Sequence, residues 1–226
     1  MPIRSTIISK LMNSTHLRQL FCGMLVCCGL LLAACNDDDA PFPPWRFELC
    51  ELTTDARGTV EQVRFDDGRS LSPLQPISAL RPDTLYRALA LYLSTTDGKA
   101  DLRRLSNVVS PMPKTFEAGI RTAPVEIITL WRTKRYLNLR IGVPRNEGKK
   151  HYFGFANHGI KRHDNGRRCL HLELYHERIG TEVHYYEETF LSCPLYPYAD
   201  QLTRGTDSVA ITINTPTGRQ RHAMTF

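Results

Sequence analysis

Five histidines in the second half of the chain could gather at one end of a β-structure and bind a metal ion. Zinc needs three or four nitrogen or sulfur ligands, held at about 2.0–2.3 Å in a rigid frame. No Cys-x-x-Cys pair anchors these histidines, and their spacing matches no common zinc pattern. We therefore expect histidines on exposed polar faces, no metal site and no cofactor. The five are His158, His163, His171, His176 and His184.

The sequence lacks the short motifs of well-known enzymes: there is no G-x-S-x-G, P-loop, G-x-G-x-x-G or H-E-x-x-H. His171 and Glu173 would share one strand face, but the Pro-Cys-x-x-Cys that completes a zinc deaminase site is missing. Glu187 and Glu188 are adjacent, so in a strand they point to opposite sides and cannot form a glycosidase pair. We assign no catalytic residue. A hydrolase with a site between two domains is the less favoured alternative.

Basic residues and tyrosines on predicted loops suggest an interface instead. The formal net charge is +6, but three of the positive charges lie in the first 34 residues. Aromatic residues are not interleaved with basic ones in the N-terminal half, so we do not expect nucleic-acid binding. Tyr196 and Tyr198 on a proline-bearing loop, with the Arg167–Arg168 pair, form the predicted interface for an envelope protein or a glycan.

The elements that would carry these residues are strands. Apolar and polar residues alternate with a period of two along 137–141, 170–175 and 209–214, which is typical of half-buried strands. Residues 85–94 are apolar on both faces except at Arg87, as expected of a strand that is central or closes a small barrel. No segment shows a helical stripe.

A proline-rich stretch divides the predicted strands into two groups. Residues 110–124 contain three prolines, which interrupt strand pairing. About five short strands precede this stretch, which fits a small Greek-key barrel, and about seven follow it, which fits a β-sandwich. The prediction is an all-β protein with an OB-like N-terminal domain at 46–112 and a β-sandwich C-terminal domain at 122–226.

The N-terminus predicts export and lipidation. Residues 21–34 are uncharged and apolar but shorter than the ~20 residues that span a bilayer, and they suit the core of a signal peptide. The run ends Leu-Ala-Ala-Cys, which resembles a bacterial lipobox. We predict a signal peptide at 1–34 and an acylated Cys35 that anchors the chain in a lipid bilayer. Ordinary cleavage near Ala34, with an incidental cysteine, is the alternative.

The residues after Cys35 indicate on which side of the outer membrane the protein is anchored. Asn36, Asp37, Asp38 and Asp39 resemble the acidic signal that sends lipoproteins of some Gram-negative bacteria to the cell surface. We therefore predict display on the outer membrane, with a location facing the periplasm and a merely solvated tether as the alternative. Three prolines then predict a semi-rigid stalk, so that 35–45 links anchor to domain.

Three further cysteines lie in the predicted domains. An exported chain meets an oxidising compartment, where a disulfide is stable. Cys169 and Cys193 flank a predicted hairpin and are the first candidate pair. The alternative is that these two and Cys50 are buried, inert thiols.

Several stretches resemble the NigD-like lipoproteins. They are the Cys35–Asp39 start, "DGRSLSPL" (67–74), "DTLYRALALYLST" (83–95), "APVEIITLWRTKRYLNLRI" (123–141) and "RRCLHLELYHE" (167–177). The resemblance implies an OB-like domain followed by a β-sandwich, and its bacteriocin-linked name implies an immunity-type role. The family supplies no catalytic residues to transfer, and the histidine- and arginine-rich stretch 151–169 departs from its usual pattern.

Two functions follow as expectations. The first is a non-enzymatic binding protein, anchored by lipid at the outer membrane, with a role like bacteriocin immunity. The second is a glycan- or small-ligand-binding accessory of an envelope uptake complex.

Overall fold

The computed structural model describes residues 44–146, 150–180, 183 and 185–226, and residues 45–226 form one compact unit. The predicted signal peptide, Cys35, the acidic tag of Asn36–Asp39 and almost all of the stalk lie outside the described residues. Within the described part, no helix is long and apolar enough to cross a membrane.

Twelve strands account for nearly all regular structure in the described residues, together with one 3₁₀ turn at Tyr196–Tyr198. In chain order the strands are β1 (Arg46–Thr54), β2 (Val60–Phe65), β3 (Ser70–Pro73), β4 (Leu85–Ser94), β5 (Lys99–Asn107), β6 (Glu126–Arg132), β7 (Tyr136–Arg145), β8 (His151–Arg162), β9 (Arg168–Arg178), β10 (Tyr185–Pro194), β11 (Ser208–Thr215) and β12 (Gly218–Thr225). The all-β prediction is confirmed.

The first five strands close into a barrel in the order β1-β2-β3-β5-β4. β1 pairs antiparallel with both β2 and β4, and only β3 and β5 are parallel. β4 has the bounds that its two-sided apolar pattern predicts, and it does close the barrel. The interior holds Cys50, Leu52, Val63, Phe65, Ala90 and Tyr92.

The last seven strands form a sandwich of two sheets. One sheet has three strands, β10-β7-β6, and the other has four, β12-β11-β9-β8, with β11 and β9 parallel. The predicted alternation is confirmed, because one side of each strand enters the core between the sheets and the other faces away. That core includes Leu137, Leu139, Ile141, Leu170, Leu172, Leu174, Val209, Ile211 and Ile213.

The predicted hairpin between Cys169 and Cys193 is wrong. β9 lies in the four-stranded sheet and β10 in the three-stranded sheet, so the chain crosses the sandwich between them. Cys193 points into the core, whereas Cys169 alternates with the core residue Leu170 and faces away from it. The predicted disulfide is therefore absent, and both residues, like Cys50, are buried free thiols.

The connection between β5 and β6 lies along the four-stranded sheet. Lys114 forms an isolated bridge with Ala156 of β8, and Thr122 forms one with His176 of β9. Phe116 stacks on Tyr175, with ring centroids 4.5 Å apart. The connection thus covers stretches of strand edge that would otherwise be open to pairing.

Candidate functional site

The barrel meets the three-stranded sheet through a small apolar contact. Leu49 of β1 and Leu89 of β4 are cross-strand partners on the outside of the barrel. With Val108, they pack against Trp131 of β6 and Phe190 of β10. Trp131 therefore packs where the barrel meets the sandwich.

A buried arginine ties the barrel to the same sheet. Arg87 of β4 donates hydrogen bonds to Asp66 at 2.7 Å, Ser192 at 3.0 Å and Asn138 at 3.1 Å. Its guanidinium lies 4.0 Å from the centroid of the Tyr136 ring. A buried charge is tolerated only when it is paired and hydrogen-bonded. These partners therefore fix the orientation of the barrel on the sheet.

A buried carboxylate forms a second polar link. Glu51 of β1 accepts hydrogen bonds from the Tyr136 hydroxyl at 2.6 Å, from Arg135 at 2.8 Å and from Arg64 at 2.7 Å. Burial acts to raise the pKa of Glu51, but the hydrogen bonds from Tyr136, Arg135 and Arg64 outweigh it, so the pKa is lowered. Glu51 is therefore a carboxylate at neutral pH. Burial also raises the pKa of Tyr136, which remains the donor.

An open cleft of about 680 Å³ lies beside these contacts, between β1 and the three-stranded sheet. We call it the junction cleft. It is lined by Arg46, Phe47, Glu48, Leu49, Asp66, Asp67, Arg69, Leu89, Thr129, Trp131, Arg140 and Phe190.

Aromatic side chains from the barrel and from the three-stranded sheet form the apolar part of the junction cleft. Phe47 of β1 is 57% exposed, which is unusual for a side chain of its size. Its ring meets Phe190 edge to face, with centroids 6.5 Å apart. Trp131 is half-buried beside them. A ligand that covers Phe47 would gain the free energy of burying a large apolar surface.

Paired charges form the rest of the lining. Arg69 bonds to Asp67, to Glu48 at 2.6 Å and to the Tyr92 hydroxyl at 3.0 Å. The hydrogen bond to Asp67 raises the pKa of Arg69 further above its usual range. Across the cleft, Arg140 forms a two-pronged pair with Glu188 at 2.6–2.9 Å. Both guanidinium groups are thus held in place by carboxylates and remain partly exposed.

The polar part of this lining consists of paired charges and one threonine among the described residues. Nucleophilic catalysis needs a nucleophile beside a base, and acid–base catalysis needs a group that titrates near neutral pH. The lining contains no histidine, cysteine or lysine, and its carboxylates are paired with arginines.

The predicted interface residues do not form one surface. Tyr198 is buried in the sandwich core, so the expectation that it is exposed is wrong. Arg168 bonds to Asp207 and Thr203 and holds the 203–207 loop against β9. Tyr196 is half-buried, with Arg135 stacked 4.6 Å from its ring centroid. Arg167 alone among the four is exposed.

The histidines separate into two groups and do not form a single cluster. His176 is fully buried, bonds to the Ala123 carbonyl at 2.9 Å and lies 2.9 Å from His151. His163 and His171 lie with Cys169 on the other side of β9 from the sandwich core. His158 pairs with Glu173, at 2.9 Å. His184 lies outside the described residues.

Sequence reasoning missed the junction cleft itself. Its lining comes from five strands and the β2–β3 turn, so no stretch of sequence contains it. The available signal was Arg87, a charge inside an otherwise apolar strand, which indicates a buried partner elsewhere. The alternation of Trp45, Phe47 and Leu49 was a second signal, because alternate residues of a strand share one face.

The architecture defines a class: a small barrel fixed by buried polar contacts to a seven-stranded sandwich, with an open cleft beside the contact. Residues 108–226 match the family model of the NigD-like C-terminal beta sandwich domain. The chain belongs to this NigD-like family, and the resemblance found in the sequence is confirmed. A comparison with curated proteins finds no match.

Solved structures share the fold over most of the chain. A NigD-like immunity protein from Bacteroides caccae is 24% identical with a TM-score of 0.63, covering 81% of this chain and 93% of that one. A candidate toxin-related protein from Parabacteroides distasonis is 16% identical with a TM-score of 0.65, covering 80% and 93%. A candidate lipoprotein from Bacteroides fragilis is 14% identical with a TM-score of 0.59, covering 80% and 96%. At these identities the likeness shows the fold alone.

Proposed function

We propose that this chain is a non-catalytic, lipid-anchored binding protein of the outer membrane with an immunity-type role. The junction cleft carries the proposal, since it combines an exposed phenylalanine with fixed, partly exposed arginines in a rigid frame. Such a cleft suits an amphipathic partner with an apolar side chain and a carboxylate. The lipobox-like Leu-Ala-Ala-Cys35 sequence supports the anchor.

The immunity-type role draws its support from relatives. One protein of the same fold is described as a NigD-like immunity protein and another as a candidate toxin-related protein. An immunity protein intercepts a toxic peptide or protein before it harms the producing cell. The junction cleft would bind a segment of that molecule, and the anchor would hold it at the membrane where the toxin arrives.

Competition between strains tests this proposal. Deleting the gene should reduce survival in co-culture with toxin-producing neighbours, and the wild-type gene should restore it. A Phe47→Ser, Arg140→Glu double variant should not restore survival, because the cleft loses both its exposed apolar ring and the positive charge of Arg140. Leu74→Ser is the matched control, since Leu74 is also an exposed apolar residue of the barrel but lies outside the lining.

Two results would count against the proposal in different ways. Equal survival with and without the gene would exclude the immunity-type role in that community. Full rescue by the Phe47→Ser, Arg140→Glu variant would keep the role and exclude the junction cleft as its site. Blotting of membrane fractions must show equal amounts of all variants.

Glycan binding is the second candidate, favoured by the pairing of aromatic rings with charged hydrogen-bonding groups in the same cleft. Sugars stack on aromatic faces and bond to carboxylates and guanidinium groups. A glycan array probed with the purified protein would show saturable binding that Phe47→Ser abolishes. An array without signal would remove this candidate and leave the protein partner.

A further inference from the structure

A second cluster of chemically active side chains lies at the β8–β9 hairpin, on the opposite side of β9 from the sandwich core. Cys169 and His171 are two residues apart on β9, so they share one strand face. The turn after β8 brings His163 to that face, with backbone hydrogen bonds from His163 to Arg167 and from Gly166 to His163. One local hairpin thus supplies two imidazoles and a thiol.

The three side chains are close enough to share one ion. A ligand atom of His163, the Cys169 sulfur and a ligand atom of His171 all lie within 4.8 Å of one another. Bonds of about 2.0–2.3 Å put the ligands of a tetrahedral zinc roughly 3.3–3.8 Å apart. Small side-chain rotations would therefore close the site without a change in the backbone.

One imidazole nitrogen of the cluster is buried without a hydrogen-bond partner among the described residues. This nitrogen is Nε2 of His171. Leaving such a group unpaired in a folded protein is unfavourable. A metal ion would satisfy this nitrogen. The Cys169 sulfur also has an outer partner, Arg221, whose Nη2 lies 3.8 Å away and could keep an N–H···S bond to a metal-bound thiolate.

We propose that His163, Cys169 and His171 form a zinc-binding site with an open fourth coordination position. Nitrogen and sulfur donors select Zn²⁺ over Mg²⁺ and Ca²⁺, which prefer oxygen. Closed structural zinc sites use four protein ligands, so a site with three keeps one position for water or another ligand. His163 is the exposed member of the three.

The charged side chains around the site affect its expected affinity for zinc. Burial lowers the pKa of His171, and the neighbouring cations Arg221 and Lys161 lower it further. The same cations oppose a dication. The thiolate offsets part of that repulsion, and an anionic fourth ligand would offset more. We therefore expect affinity below that of four-ligand structural sites.

Metal titration of the reduced full-length protein in detergent tests the site. Zn²⁺ alone should bind with one saturable equivalent, and Co²⁺ should give a sulfur-to-cobalt charge-transfer band that Zn²⁺ displaces. Cys169→Ser should lose that band. His163→Gln, which changes an exposed residue, should weaken zinc binding by at least about tenfold.

His158→Gln is the matched control, because His158 is a neighbouring histidine that pairs with Glu173 and is not part of the site. It should bind zinc like the wild type. Circular dichroism should show that every variant is folded. Zinc binding that is equal in wild type, Cys169→Ser and His163→Gln would overturn the proposal, and so would a cobalt complex without the sulfur band.

Discussion

At the scale of single residues, Glu51 is the buried charge on which the junction depends. Glu51→Gln keeps the shape but removes the charge that Tyr136, Arg135 and Arg64 bond to. We expect the free energy of unfolding to fall by about 1–3 kcal/mol, the usual cost of weakening a buried charged hydrogen-bond group. Urea denaturation measures it.

Glu188→Gln is the control for that substitution, because the Glu188–Arg140 pair is largely exposed. Exposed pairs contribute roughly 0–1 kcal/mol, so this variant should unfold close to wild type. If both substitutions had the same small effect, Glu51 would not be stabilising the junction.

His176 predicts a pH dependence of stability. Burial, together with repulsion from His151, Arg178 and Arg145, lowers its pKa from 6.5 to about 4, although the Ala123 carbonyl opposes this. Between these values the unfolded chain takes up a proton that the folded chain refuses, so lowering the pH favours unfolding. The loss from this residue between pH 6.5 and pH 5 is about 2 kcal/mol.

Urea denaturation at pH 7 and pH 5 tests the role of His176. His176→Asn keeps a donor for the Ala123 carbonyl and removes the titrating ring. It should be less stable than wild type at pH 7 but lose less stability at pH 5. Parallel losses in the two proteins would assign the pH dependence to other histidines.

The strand face on which each side chain lies could be predicted residue by residue, but the distant residues that it contacts could not. The alternation through Leu137, Leu139 and Ile141 is local and correctly indicated which side chains enter the core. Glu51 and Tyr136 are 85 residues apart, and Arg87 and Ser192 are 105 apart. Such contacts depend on how the strands are arranged in space, and this arrangement cannot be inferred from the local pattern of a single sequence.

At the scale of elements, all seven predicted sandwich strands form, but the predicted connection between β9 and β10 is wrong. Two consecutive strands most often pair with each other, which predicts a hairpin of β9 and β10. Their alternation is equally compatible with a crossing from one sheet to the other. That crossing separates Cys169 from Cys193 and explains both free thiols.

The connection along β8 provides a test at this scale. A methyl group on Gly154 would lie 3.0 Å from Cζ of Phe116 and 3.5 Å from Cβ of Tyr175. Gly154→Ala should therefore displace the Phe116 ring and destabilise the protein by about 1–3 kcal/mol, as overpacking usually does. Thermal or urea unfolding measures the loss.

A double-mutant cycle separates this contact from other effects of Gly154→Ala. In a Phe116→Leu background the added methyl group should cost much less, because its obstacle is smaller. Gly142→Ala is a comparison in the other sheet, where the added methyl group would lie 3.2 Å from Oε2 and 3.3 Å from Cβ of Glu126 and far from Phe116. Equal costs of Gly154→Ala in both backgrounds would show that Phe116 does not hold the connection on β8.

At the scale of the whole molecule, function depends on where the folded unit is held. A cleft that binds an arriving partner works only if the chain is displayed on the side from which the partner comes. Several acyl chains on Cys35 would anchor it stably, since each buried CH₂ contributes about 0.8 kcal/mol. The aspartates that follow would then decide the membrane face, and this part of the proposal can be tested on living cells.

We expect the wild-type protein to carry an acylated Cys35 by mass spectrometry and to react with a membrane-impermeant reagent on intact cells. Cys35→Ala should remove the acylated peptide and the protein from the outer membrane. Replacing Asp37, Asp38 and Asp39 with Asn should keep the acyl group but block labelling until the outer membrane is opened, because the acidic signal is lost. Undiminished labelling of that triple variant would show that the aspartates are only a solvated tether. Another part of the protein would then direct it to the cell surface.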